Sequence, residues 1–241
     1  MARKTILSAL LAASLLVLVA PTAATAAPSA TATQADRKAT VLTSDQEAEI
    51  RASFDKYAVD AHQQDKLIKK LRSGQPWDVF TGAAAIGVEH HSTPTKDETV
   101  ERFADGSFKA QSVGKSAVAE PGEITPMASI DNCSYSGGSG YAVYSNCSIS
   151  ANWSGLINVA FVATYQHVNG GPSSILSVGN TTQNCAGVSC SSPSVSIGRQ
   201  SSIGSTAAWA QAQSRVQAAW GSWEVWVQLV VAPATSYAIQ S

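Results

Sequence analysis

From Thr206 to Val231 the sequence alternates small apolar with polar side chains through two runs, and an extended backbone is what sorts such a pattern onto two faces. The runs 206–219 and 223–231 each read as a strand, paired through a two-residue type II′ turn at Gly221-Ser222. Trp220 then faces Trp223, Ala218 faces Val225, Val216 faces Val227 and Ala212 faces Val231, all on one apolar face. The opposite face collects Trp209, Gln211, Gln213, Arg215 and Gln217 from the first strand, with Glu224, Trp226 and Gln228 from the second. Trp209, Ala212, Val216, Ala219 and Trp220 also fit a helical stripe. One turn placement orders both runs, however, and the strand reading prevails.

The surrounding composition extends this reading. Of the 33 charged side chains in the chain, only Asp131, Arg199, Arg215 and Glu224 lie between residue 131 and the end, while Ser, Thr, Asn, Gln and Gly fill the polar positions there. Ile157 to Tyr165 alternates and ends at Gly170-Gly171-Pro172; Ser194 to Arg199 is a shorter candidate strand. Residues 131–241 are therefore expected to form an antiparallel β-sandwich or open barrel. Four cysteines, Cys133, Cys147, Cys185 and Cys190, fit two disulfides in an exported chain. The pairing that closes the least chain is Cys133–Cys147 with Cys185–Cys190. A zinc site built from all four would want short Cys-x-x-Cys knuckles, which are missing.

The first half differs in kind. Arg3 and Lys4, an uncharged run from Thr5 to Ala20, Pro21 and the small-residue site Ala24-Thr25-Ala26 form an export signal over 1–26, with maturation near Ala27. Read as a membrane anchor, the run is short of the roughly 20 apolar residues a span needs. No Cys follows for lipid attachment and the C-terminus offers no sorting tail, so the product is expected to be released or held non-covalently. Losing the signal moves the net charge from −1 to −3. Residues 27–43 have the composition of a disordered lead-in. Ser44 with Glu47 makes a capping box for a helix running to about Tyr57, with Ile50, Phe54 and Tyr57 on one face. Asp60 with Gln63 starts a second helix, which carries Leu67, Ile68 and Leu71 and stops at Gly74 and Pro76. Val100 to Ala104 and Ser107 to Ala110 flank Asp105-Gly106, a two-residue hairpin signal. The expected organisation is α+β: a small unit over 44–113 with a helical hairpin and a β-hairpin, a linker over 114–130, and the disulfide-containing β domain.

Much chemistry finds no residues here. No basic stripe points to nucleic acid, and no Gly-rich phosphate loop or calcium loop occurs. There is no Gly-x-Ser-x-Gly elbow, and a triad in the C-terminal half would have to draw on His167 and Asp131, its only His and Asp. Asp131 and Glu224 are the only carboxylates there for glycosidase work. His90-His91 point to opposite faces of a regular strand and cannot chelate one ion. The Asn-x-Ser/Thr triplets at Asn132, Asn146, Asn152 and Asn180 are frequent by chance in a Ser-rich chain. No catalytic residue, metal ligand or cofactor is assigned. Five of the six tryptophans, at 153, 209, 220, 223 and 226, lie in the C-terminal half. Trp209 and Trp226 fall among Gln, Arg and Glu, a surface suited to stacking a sugar ring and bonding its hydroxyls.

The run from Tyr57 to Leu71, the segment Gly74-Gln75-Pro76-Trp77-Asp78, the segment Phe103 to Ser107 and the later Asn146-Cys147-Ser148 resemble a group of actinomycete secreted proteins of unknown function. The resemblance implies export and a helical hairpin leading into β structure, and it transfers no catalytic residues. The expected function is that of a secreted, non-catalytic extracellular binding protein contacting an extracellular polysaccharide or cell-envelope polymer through Trp209, Gln211, Gln213, Arg215, Gln217, Glu224, Trp226 and Gln228. One competing expectation is a membrane-active β protein, in which Val216 and Val227 would face lipid. The other is an uncharacterised hydrolase.

Overall fold

The computed structural model describes residues 40–115, 133–233 and 235–241. The export signal, residues 27–39 of the lead-in, residues 116–130 of the linker and Asp131 lie outside the described residues. Helix α1 (Ser44–Lys56) is capped by Thr43, whose hydroxyl accepts the Gln46 N–H while the Gln46 side chain accepts the Thr43 N–H. The capping box therefore starts one residue before the expected Ser44 and Glu47 pair. Glu47 is committed to other partners, its two carboxylate oxygens accepting from Arg51 and Arg72. Helix α2 (Ala61–Arg72) starts as expected at Asp60, whose carboxylate accepts the His62 N–H, and ends before Gly74 at a φ of +68°.

Seven strands form sheet one: β1 (Gly87–Ser92), β2 (Lys96–Arg102), β3 (Phe108–Gly114), β4 (Ser134–Gly138), β5 (Tyr141–Trp153), β6 (Ile157–Val168) and β7 (Ser174–Cys185). All pairings are antiparallel in the order β1-β2-β3-β5-β6-β7, with β3 and β4 end to end along the same edge of the long β5. Sheet two contains β8 (Ser189–Cys190), β9 (Ser194–Arg199), β10 (Ala208–Ala218), β11 (Gly221–Val231) and β12 (Ser236–Gln240), with β12-β11-β10 in order and both β8 and β9 on the far edge of β10. The inner faces of the two sheets meet in one core that includes Ile149, Trp153, Val159, Phe161, Val216, Val225, Val227 and Leu229. The expected sandwich and both expected disulfides, Cys133–Cys147 and Cys185–Cys190, are present.

Two turns differ from expectation. The Asp105-Gly106 hairpin exists, but Arg102 pairs with Phe108, so its loop is five residues and not two. Asp105 accounts for the extra length: its carboxylate accepts from Ser107 and from the Asp78 N–H, tying the loop to the chain after α2. The β10–β11 turn is Ala219-Trp220, not Gly221-Ser222, because Ala218 pairs with Gly221. Val216 thus faces Trp223 and Ala212 faces Val227. The turn is placed by packing from outside the hairpin: Trp220 and Trp223 stack with ring centroids 5.8 Å apart, and both lie against Phe80, at 6.2 and 5.3 Å. A shift of four in partner number is even, so every side chain keeps the face assigned to it.

The change in composition does not divide the fold. β3, from the charged half, pairs with β5, from the neutral half, and the helices share a single buried cluster with the sandwich. Residues 44–113 and 133–241 lie within one compact unit, and Gly114 ends β3 while the Cys133 N–H donates to the Lys115 carbonyl at 3.0 Å. The lead-in also ends earlier than expected, since Leu42 is packed on the core. A protease recognition sequence inserted between Lys115 and Cys133 should therefore give two fragments that co-elute on gel filtration until denaturant is added. Separation under native conditions would restore the two-unit reading.

Candidate functional site

The outer face of sheet two carries the side chains singled out by alternation. Along β10, Ala208, Ala210, Ala212, Ser214 and Val216 are buried, while Trp209 and Gln211 are partly exposed and Gln213, Arg215 and Gln217 are exposed. β11 follows the same rule, with Val225, Val227 and Leu229 buried, Trp226 and Gln228 partly exposed and Glu224 exposed. The register sets Gln213 beside Trp226, Gln211 beside Gln228, Arg215 beside Glu224 and Trp209 beside Val230. All eight residues thus share one face, and no second sheet lies over it among the described residues.

Two anchors hold the aromatic groups. The Trp209 indole is pressed against the backbone of Gly198 on β9, where a Cβ would lie 2.0 Å from the ring. Only glycine leaves room for it. Trp226 is held through its backbone, its N–H donating to the Ser241 hydroxyl and its carbonyl accepting the Ser241 N–H. Between them the Gln211 amide donates to Gln213 Oε1 at 3.1 Å, and Arg215 Nε donates to the Ser222 hydroxyl at 3.1 Å and forms no ion pair with Glu224. The face therefore keeps amide groups and the Glu224 carboxylate available to solvent.

Sequence reasoning missed two members of the surface. β12 pairs with β11 and sets Tyr237 beside Val230 and Ile239 beside Gln228, both exposed. The alternation Ser236-Tyr237-Ala238-Ile239-Gln240 was the available signal. With them the face has three aromatic groups and two aliphatic side chains, Val230 and Ile239, among amides.

The other sequence candidates are placed apart from this face. His90 Nδ1 lies 3.1 Å from the Thr99 hydroxyl and His91 Nε2 lies 3.2 Å from Glu89 Oε2, so the two rings take separate partners. Among the described residues no three His, Cys, Asp or Glu side chains are grouped to hold a metal. His167 Nδ1 lies 3.0 Å from the Ser173 hydroxyl, which also donates to the Pro233 carbonyl. Burial holds the His167 ring below its ordinary value, against hydrogen bonds to the backbone of Ala232 and Pro233. Ser173 is fully buried, so this pair presents no nucleophile to a substrate.

No protein family, no curated protein and no solved structure matches the chain.

Proposed function

We propose that the protein is exported and non-catalytic, and that it holds an extracellular or cell-envelope polysaccharide on the outer face of sheet two. The supporting observation is a sheet face, with no second sheet over it among the described residues, on which Trp209, Trp226 and Tyr237 stand among Gln211, Gln213 and Gln228. Aromatic faces stack on the apolar faces of sugar rings, and amides bond the ring hydroxyls at their edges. Four residue steps of β10 carry the chain from Trp209 to the Gln213 and Trp226 row, roughly 14 Å along the strand. One ring cannot bridge that distance, which favours a polymer over a single sugar. The two disulfides fit an oxidising compartment, and no helix among the described residues is long and apolar enough to cross a membrane. The membrane-active reading is less favoured, because the apolar face that a stem would turn to lipid is occupied with core packing: Val216 and Val227 are both 0 % exposed.

Pull-down on insoluble polysaccharides tests the reading. Trp226→Ala is expected to lower retention about tenfold or more while the circular dichroism spectrum stays native, since the ring leaves an open surface and not the core. Undiminished retention of Trp226→Ala, or no retention of the wild-type chain on any cell-wall polymer, refutes it.

A further inference from the structure

The helical hairpin covers only part of the outer face of sheet one. Beside the last turn of α1 the sheet is open, and a cleft of about 330 Å³ lies between Lys56 and Tyr57 on one wall and strands β2, β3, β5, β6 and β7. That volume is at the lower end of the range of about 300 to 1,000 Å³ for small-molecule sites. Alternation again decides the floor. On β5 and β6 the inward residues Ile149, Ala151, Val159 and Phe161 are in the core, so Ser150, Asn152, Asn158 and Ala160 face out, continued on β7 by Thr182 opposite Ala160.

The polar groups of this floor are largely uncommitted. Asn152 Oδ1 accepts the Gly155 N–H at 2.7 Å, which leaves its amide N–H groups without a partner among the described residues. Asn158 and Thr182, across the ladder, make no side-chain hydrogen bond among those residues either. Ser112 and Ser150 share one hydrogen bond at 2.8 Å, so one hydroxyl hydrogen of the two stays available.

Glu98 supplies the one carboxylate. Its Oε1 accepts both the Tyr57 hydroxyl and Lys96 Nζ at 3.0 Å, while Oε2 has no donor among the described residues. The side chain is 12 % exposed and lines the cleft. Burial opposes its ionisation, but the Lys96 and Tyr57 bonds outweigh it and hold Glu98 below the usual carboxylate range. Burial and the Glu98 charge push the Tyr57 phenol far above its ordinary value, so it remains a donor to Glu98.

Three features narrow the ligand. Of the two cations in the lining, Lys96 is bonded to Glu98 Oε1 and Lys56 stands over the Tyr57 ring, and the free Oε2 of Glu98 beside them disfavours phosphate and other anions. The floor is the face of a sheet whose backbone groups are spent in the ladders, with no apolar pocket, and so offers a peptide neither strand addition nor side-chain anchors. No aromatic face is free for stacking, because Phe108 lies 4.3 Å from the Tyr57 ring on one side and Lys56 Nζ stands 4.8 Å from its centroid. What remains is a ligand that presents several hydroxyls, one or two donating to Glu98 Oε2 and the others exchanging hydrogen bonds with the two asparagines and Thr182.

We infer that this cleft is a second carbohydrate site, recognising a short segment of sugar by hydrogen bonding alone, on the side of the sandwich opposite Trp226. It stands independently of the sheet-two reading. Titration of the ¹⁵N-labelled protein with soluble tetrasaccharides of glucose, N-acetylglucosamine and xylose, each to millimolar concentration, tests it. At least one is expected to shift the Asn152, Asn158 and Thr182 resonances in a saturable way. Glu98→Gln should weaken that binding at least about tenfold, the range for a hydrogen bond to a charged group. Ala160→Leu, which fills the floor without touching the Glu98 bonds, should do the same with a native spectrum elsewhere, and Trp226→Ala should leave it unchanged. Absence of saturable shifts in the cleft with every tetrasaccharide, or equal affinity in Ala160→Leu, overturns the inference. Shifts confined to the Trp226 face overturn it while leaving the sheet-two reading intact.

Discussion

Val227→Asp is expected to leave no cooperatively folded protein. Val227 is fully buried on β11, between Ala212 on β10 and Gln240 on β12, with its side chain toward sheet one. Burying the valine contributes about 1.5 to 3 kcal/mol. An unpaired carboxylate at the same place adds a penalty of several kcal/mol, because the hydrophobic cluster that holds Val227 has no buried cation among the described residues to offer it. Together these approach the whole stability of an ordinary domain, about 5 to 15 kcal/mol. Gln213→Asp, one row from it on the outer face, should shift the urea midpoint little, as surface substitutions do. The same pair of variants bears on the membrane-active reading. A hairpin designed to leave the core would tolerate Val227→Asp in the released protein and lose only its action on liposomes. A native circular dichroism spectrum and an unfolding midpoint within a few degrees of wild type for Val227→Asp would count against the sandwich core as the permanent seat of this hairpin.

What was legible in the sequence divides along a physical line. Face assignment on β10 and β11 depended only on parity, and an error of four in register left it untouched. The disulfides were legible because their partners are 14 and 5 residues apart, where chain closure favours the local pairing. The turn was not legible, because its position depends on Phe80, about 140 residues earlier, which no local pattern reports. The α1 start was off by one for a similar reason: Thr43-x-x-Gln46 and Ser44-x-x-Glu47 are overlapping boxes, and Arg72, from the other helix, engages Glu47. The charge boundary misled more seriously. The charged residues between 44 and 115 all keep some exposure, while Val100, Phe108, Ala110 and Val113 in the same stretch are core residues. Composition reported the exposed side chains, and the fold follows the buried ones. On the site, sequence alternation reached the eight residues of the outer face but not Tyr237 or Ile239, which become part of it only through β12 pairing. The Glu98 cleft left no sequence signal at all, since its floor comes from strands brought together by the β3–β5 pairing.

Asp105→Ala should be the most costly change at a polar residue, about 2 to 4 kcal/mol, although no apolar packing is lost. The Asp105 side chain is 10 % exposed, and four donors converge on it: the Ser107 N–H and hydroxyl on Oδ1, with the Asp78 N–H and Lys70 Nζ on Oδ2. Its own N–H donates to Asp78 Oδ2, so the β2–β3 loop and the chain after α2 are latched in both directions. Removing the carboxylate leaves two N–H groups, a hydroxyl and an ammonium short of a partner at a site that water reaches poorly. The pH dependence is specific. Burial raises the Asp105 pKa, but the bonds from Ser107, Lys70 and the Asp78 backbone outweigh it, and the folded value lies below the ordinary 3.8. A carboxylate whose pKa is lower folded than unfolded contributes stability that is fully present above the unfolded value and is lost as pH falls through the folded one. Wild-type protein should therefore lose stability as the pH drops below about 3.8 toward the folded value, and Asp105→Asn should lose less over that interval. Asn keeps one acceptor but cannot hold Lys70 by charge, so the variant should start lower at neutral pH and converge on wild type in acid. Urea midpoints measured across this range decide the matter: parallel wild-type and Asp105→Asn curves would mean that the latch carries no ionic component, and an Asp105→Ala protein as stable as wild type at neutral pH would mean that there is no latch.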